Sequence, residues 1–147
     1  MRRFNLLLFL LLVTMAAQAQ FVNNGATVTI QSGATLRVET DFINNTGTVT
    51  NNGTLEVQGA FTNAATFTSA NPSLVRFIGS TNSNVTSGSA MLRNVEMSKT
   101  ANNITLLSPL AIVGDLNFVN DNNKVVLGAH NLTLPTGATV TSVDANE

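Results

Sequence analysis

The chain has 147 residues, 44% apolar and only 10% charged, with seven basic residues against eight acidic ones and no Cys. Its few Lys and Arg are scattered, which argues against a nucleic-acid partner, since phosphate binding needs clustered positive charge. The lack of Cys excludes disulfides and a lipidated cysteine anchor, and low charge with many β-branched residues favours order over disorder.

The first predicted element is an export signal over residues 1–19. Arg2 and Arg3 open it, residues 6 to 13 are apolar, and Ala17-Gln18-Ala19 supplies the small residues of a cleavage site before Gln20. Its apolar run is about ten residues, half of the roughly 20 that a spanning helix needs. Cleavage leaves five basic against eight acidic residues, a net charge of −3, and a mature chain of residues 20–147 that forms one domain.

The string FVNNGATVT, which starts at Phe21, returns as FINNTGTVT at Phe42, with six of nine positions unchanged. Such recurrence marks stacked repeats. Apolar residues alternate with Thr, Asn, Ser and Gly at Val28 and Ile30, Leu36 and Val38, Leu55 and Val57, the period of a strand. Strands of three to five residues starting every six to eight residues are too closely spaced for a β-sandwich. Three of them make a coil of about 20 residues, matching the step from Phe42 to Phe61, where Phe-x-Asn returns. Phe118-Val119-Asn120 reads as a further return of that opening. The spacing therefore predicts an all-β, single-stranded parallel β-helix of about six coils, roughly 29 Å long at the usual strand separation. Leu55, Phe61 and Phe67 keep the even step of left-handed helices, but the wider spacing elsewhere favours a right-handed one.

Asn24-Gly25 and Asn52-Gly53 are expected turns, because both residue types tolerate positive φ. Asn24 and Asn45, at equivalent places in the two strings, are placed to stack their amides in a ladder. Residues 69 to 99 read as the least regular part, with ANPS, GSTNSN and SGSAM as loops between strands at 74 to 78 and 91 to 97. Pro72, Pro109 and Pro135 fall where strands begin or end.

The strings NNGATVTIQSGATLRVETDF, NNGTLEVQGAFTN and GAHNLTLPTGATVT resemble the Asn/Gly/Thr-rich repeats of large exported β-helical proteins of Gram-negative bacteria, especially the gliding, type IX-secreting group. The resemblance spans the mature chain and lies in composition and rhythm. It implies an adhesin-like, cell-surface or matrix role. Such proteins commonly carry a separate C-terminal sorting domain, and none follows here, so an N-terminal piece of a longer protein is expected.

Candidate chemistry is sparse. His130 is the single histidine; with Gly128 and Asn131 beside it, a turn position outweighs a triad or a metal site. A polysaccharide-degrading β-helix needs clustered carboxylates. Asp41, Asp115, Asp121 and Asp144 are far apart, and Glu39 with Asp41 is the close pair, facing one side of a strand as solvated charge or a weak cation site. Asp121-Asn122-Asn123 with Asp115 offers calcium-type oxygen ligands but lacks the glycine-rich repeat of calcium-binding β-rolls. The Thr-x-Thr pairs at 27/29, 48/50, 66/68 and 139/141 raise ordered-water or ice binding. The competing account is that exposed strands need polar β-branched residues, and Arg37 and Glu56 are expected to interrupt the array. Sequons at Asn44, Asn52, Asn84, Asn103 and Asn131 follow from composition. No catalytic, cofactor or metal residue is assigned. The expected function is an exported structural or adhesive surface module without catalysis, contacting carbohydrate or cell-surface components through its Thr/Asn exterior. The alternatives are a polysaccharide-binding or polysaccharide-degrading β-helix and an inert spacer. Open solenoid ends are expected to promote self-association.

Overall fold

In the computed structural model, residues 19–120 and 122–142 are described, and they wind as a parallel β-solenoid of six coils without a helix. The first coil holds β1 (Phe21–Ile30) and β2 (Thr35–Val38), and the second β3 (Phe42–Asn51) and β4 (Thr54–Val57). The third holds β5 (Phe61–Asn63), β6 (Thr66–Ser69) and β7 (Leu74–Phe77), and the fourth β8 (Ser83–Thr86), β9 (Met91–Leu92) and β10 (Asn94–Met97). The fifth holds β11 (Ile104–Leu106), β12 (Leu110–Ile112) and β13 (Asp115–Phe118), and the sixth β14 (Val125–Val126), β15 (Leu132–Thr133) and β16 (Thr139–Thr141). Nearly all of the expected signal, residues 1–18, lies outside the described residues.

Every ladder among the described residues is parallel and joins one coil to the next. The first sheet runs β1-β3-β5-β8-β11-β14 with β6 also on β3, the second β2-β4-β7-β10-β13-β16, and the third β9-β12-β15. The step between partnered residues is shortest from Thr50 to Thr68 and longest from Phe61 to Val85 and from Asp115 to Thr139. That spread absorbs the uneven corners while the inward positions stay in register.

Because side chains alternate along a strand, each inward position becomes a file down the axis. In the first sheet Phe21, Phe42, Phe61, Val85 and Leu106 follow one another. The first two ring pairs stack with centroids 5.0 and 5.1 Å apart and planes 1° and 12° from parallel. Phe67 meets Phe42 and Phe61 edge-on. In the second sheet Leu36, Leu55, Val75, Val95 and Leu116 form one file, and Val38, Val57, Phe77 and Met97 another. Phe118 ends this last file, on Met97. It therefore does not reopen the Phe-x-Asn corner as its sequence suggests; the first-sheet place in its coil belongs to Leu106.

The corner after the Phe file differs from the expected turn. β1 and β3 each run ten residues through it, so Asn24-Gly25 lies inside a strand, at a register shift, and these strands are longer than the alternation implies. Asn23, Asn44 and Asn63 point inward and are 2%, 0% and 1% exposed. Asn23 Nδ2 donates to Asn44 Oδ1 (2.9 Å), and Asn44 Nδ2 to Asn63 Oδ1 (2.7 Å). Asn63 Nδ2 donates onward to the carbonyl of Ser87 (3.1 Å), whose hydroxyl donates to that of Pro109 (2.5 Å). Outside this spine the expected ladder is present, with Asn45 Nδ2 donating to Asn24 Oδ1 (2.9 Å). Gly47 has φ +92°, and a Cβ there would run into the Ala26 carbonyl oxygen, so the corner closes only with glycine. Asn52-Gly53 does form a turn, between β3 and β4.

Residues 69 to 99 are more regular than their composition implies. Ser83 and Asn84 of GSTNSN begin β8, and the expected strand at 91 to 97 divides at Arg93 into β9 and β10. The long step from Phe61 to Val85 takes up the extra length. Pro72, Pro109 and Pro135 all lie outside strands, as expected.

The inner amide spine is the costlier one to break, because a buried donor or acceptor left unpaired costs about 1–3 kcal/mol. Asn44→Ala is therefore expected to lower the unfolding free energy in urea by roughly 2–4 kcal/mol and Asn45→Ala by less than about 1 kcal/mol. Equal losses would remove the distinction between the two ladders.

Candidate functional site

A polar groove of about 500 Å³ runs along the corner between the second and first sheets. Three successive coils line it. Glu39, Thr40 and Asp41 join β2 to β3, Gln58, Gly59 and Ala60 join β4 to β5, and Thr81 and Asn82 precede Asn84 of β8. The structure thus places Glu39 and Asp41 in one groove. It adds Gln58, Thr81, Asn82 and Asn84, which local motifs do not reveal. Their signal is the coil period, since Gln58 follows Glu39 at the same interval at which Val57 follows Val38.

The two carboxylates are held differently. Asp41 Oδ1 accepts the backbone N–H of Ala60 (2.7 Å), and Gly59 N–H donates to the Thr40 carbonyl (2.7 Å). A Cβ at Gly59 would collide with Asp41 Oδ1, so glycine allows this approach. Glu39 accepts from Arg37 Nε at 2.6 Å, in solvent. Asn82 Oδ1 accepts the Asn103 N–H (3.1 Å). Thr40 Oγ1 is buried without a hydrogen-bond partner among the described residues.

Arg37 also begins a charged file down the outside of the second sheet, where Arg37, Glu56, Arg76 and Glu96 are successive ladder partners. Arg37 lies 3.4 Å from Glu56, and Arg76 reaches Glu56 at 2.7 Å and Glu96 at 2.5 Å. Hydrogen bonds to Glu56 and Glu96 raise the Arg76 pKa, and the one to Glu39 raises that of Arg37. Cross-strand pairs of opposite sign favour one register over a slipped one.

Arg37 and Glu56 therefore do not interrupt the threonines, contrary to what their sequence positions suggest. Thr27, Thr48 and Thr66 are in register, as are Thr29, Thr50 and Thr68, on the opposite half of β1 and β3 and on β6. Thr139 and Thr141 belong to the second sheet instead, where each hydroxyl donates to the Asp115 carboxylate at 2.7 Å.

The remaining candidates are dispersed. His130 is half-buried in the turn over residues 127 to 130, its N–H donating to the Leu127 carbonyl (3.0 Å). Asn123 points inward and brackets Lys99, accepting its N–H and donating to its carbonyl, both at 2.9 Å. Asp121 and Asp144 lie outside the described residues. Among the described residues no three His, Cys, Asp or Glu side chains converge as metal ligands.

No known family model, curated protein or solved structure matches the chain.

Chemically, the groove offers carboxylate acceptors beside side-chain amides and hydroxyls. That mixture suits a ligand which both donates and accepts many hydrogen bonds.

Lys99, one of the scattered basic residues of the sequence, is fully buried. Its Nζ donates to the Ile78 carbonyl and to Ser83 Oγ, both at 2.9 Å, and desolvation lowers its pKa from 10.5 to about 8. Between these values the unfolded chain binds the proton that the folded chain has released, so stability rises with pH. Below pH 8 both states are protonated and the penalty is constant. A gain on the order of 3 kcal/mol is expected on raising the pH from 8 to 10.5. The chain has no Cys or Tyr to obscure it. Urea midpoints across this range should rise in the natural chain and flatten in Lys99→Met; a slope unchanged by the substitution would assign the effect elsewhere.

Proposed function

We propose that the chain is an exported, non-catalytic surface or extracellular module, a rigid β-solenoid that contacts carbohydrate through its polar exterior. The observation that carries this reading is the corner groove. Saccharides present closely spaced hydroxyls that act as donor and acceptor together, and the groove sets Glu39 and Asp41 among Gln58, Thr81, Asn82 and Asn84.

Rigidity supports the same reading. Asp41 and Ala60 sit in corners closed by backbone hydrogen bonds and Asn84 in a strand paired on both sides, so little ordering of these residues remains to oppose a weak polar ligand. Export rests on the sequence of residues 1–19, and the Asn/Gly/Thr repeat rhythm points to a cell-surface or matrix setting. N-terminal sequencing of the exported product should begin at Gln20.

The chain is expected to be retained on a subset of glycans in an array or on bacterial or matrix surfaces. Glu39→Gln combined with Asn84→Ala is expected to weaken that retention about tenfold, roughly 1.4 kcal/mol, without moving the unfolding midpoint. Absence of retention on every glycan and surface would overturn the binding role and leave a spacer.

A further inference from the structure

Among the described residues, the two ends of the solenoid are open and unlike. β1 and β2 are paired only with the second coil, and β14, β15 and β16 only with the fifth. Each therefore presents unpaired backbone groups along one edge. At the first-coil end, Phe21, Val28, Ile30, Ala34 and Leu36 line a largely apolar hollow of about 280 Å³. Phe21 stacks on Phe42 with one face and has no described coil beyond the other. At the last-coil end, Leu127, Leu134 and Val140 are 42%, 37% and 39% exposed. With Val126, which faces outward beside Thr105, the last coil holds half of the large apolar residues that the described chain leaves exposed.

We infer that the last coil of one molecule receives the first coil of another, so that copies of this chain stack head to tail along the solenoid axis. The fit is that of the coil-to-coil interface the molecule already repeats five times. The β11–β14 register places Val125 on Ile104 and Val126 on Thr105, so the Phe file continues through Leu106 to Leu127. A copy advanced by one coil sets its Phe21 on Leu127 and its Leu36 on Val140, which ends the file of Leu36, Leu55, Val75, Val95 and Leu116. Its β1 then pairs with β14 and its β2 with β16, in the parallel sense used throughout. Like ends do not offer this match, because facing copies would oppose their strands and shift the files. The contact joins different surfaces and does not close, so it propagates into rods. It is independent of what the groove binds.

The test uses the chain expressed from its complete sequence. Sedimentation velocity is expected to show mass growing from one chain at roughly 1 µM to two or more at roughly 100 µM, with electron micrographs showing rods that lengthen at constant width. Leu36→Lys blocks the first-coil end and Val140→Lys the last. Each variant alone is expected to remain a single chain, and an equimolar mixture is expected to give a dimer that grows no further. A natural chain that stays single at high concentration overturns the inference, showing both ends covered by residues of the same molecule. Dimers formed by either variant alone overturn it in favour of like-end packing. If a variant fails to fold by circular dichroism, the concentration series of the natural chain still decides.

Discussion

A very short strand has too little surface to persist in water. Those of this protein persist because the chain returns to each of them about one coil later and lays down a parallel neighbour. This return is the constraint on which every other feature depends. It fixes which residues face the axis, brings residues one coil apart into contact, and turns single apolar positions into continuous files. It also explains the low content of charge. A polar residue that recurs at an inward place must find its partner in the next coil, which Asn does with its own amide and Lys or Glu cannot.

The corners have more freedom than the sheets. Ladder steps vary in length from coil to coil, yet the Leu36 and Phe42 files stay in line, so surplus residues are accommodated between strands. The polar groove arises there. It is bounded by two tight connections, at Glu39 to Asp41 and at Gln58 to Ala60, and by the longer approach to β8. The same freedom separates two kinds of glycine-containing corner: at Gly47 the strand is carried through the bend, whereas at Asn52-Gly53 it stops.

Much of this architecture is legible in the sequence, because the echo of Phe21 to Thr29 in Phe42 to Thr50 and the alternation of apolar with polar residues are visible without any knowledge of contacts. The parallel coils, the Phe file, the outer Asn24–Asn45 pair and the proline positions follow from them. What is not legible depends on facing, which alternation leaves ambiguous at a bend. Asn23 and Asn24 look equivalent in the string NNG, yet one is inside and the other outside. Phe118 resembles a corner phenylalanine because its neighbours are Val and Asn, but its place is set by β13 pairing with β10. Arg37, Glu56, Arg76 and Glu96 look scattered until the step of the second sheet is known. Lys99 looks like surface charge, and only the enclosure of Ile78 and Ser83 around its amine shows otherwise. Among the groove residues, Glu39 and Asp41 stand out as a local pair, whereas Gln58, Asn82 and Asn84 gain meaning only when three coils are superposed.

The aromatic residues are unevenly distributed along the axis. Phe21, Phe42, Phe61, Phe67 and Phe77 all belong to the first three coils, where they form one stacked and edge-to-face cluster, while Phe118 stands apart in the fifth. A chain that emerges N-terminus first delivers this cluster before the rest. Since each ladder spans only about one coil, these coils can make their contacts with one another without the later ones. The densest aromatic packing thus lies in the coils synthesised first, and the most exposed inward-facing apolar residues in the coil synthesised last.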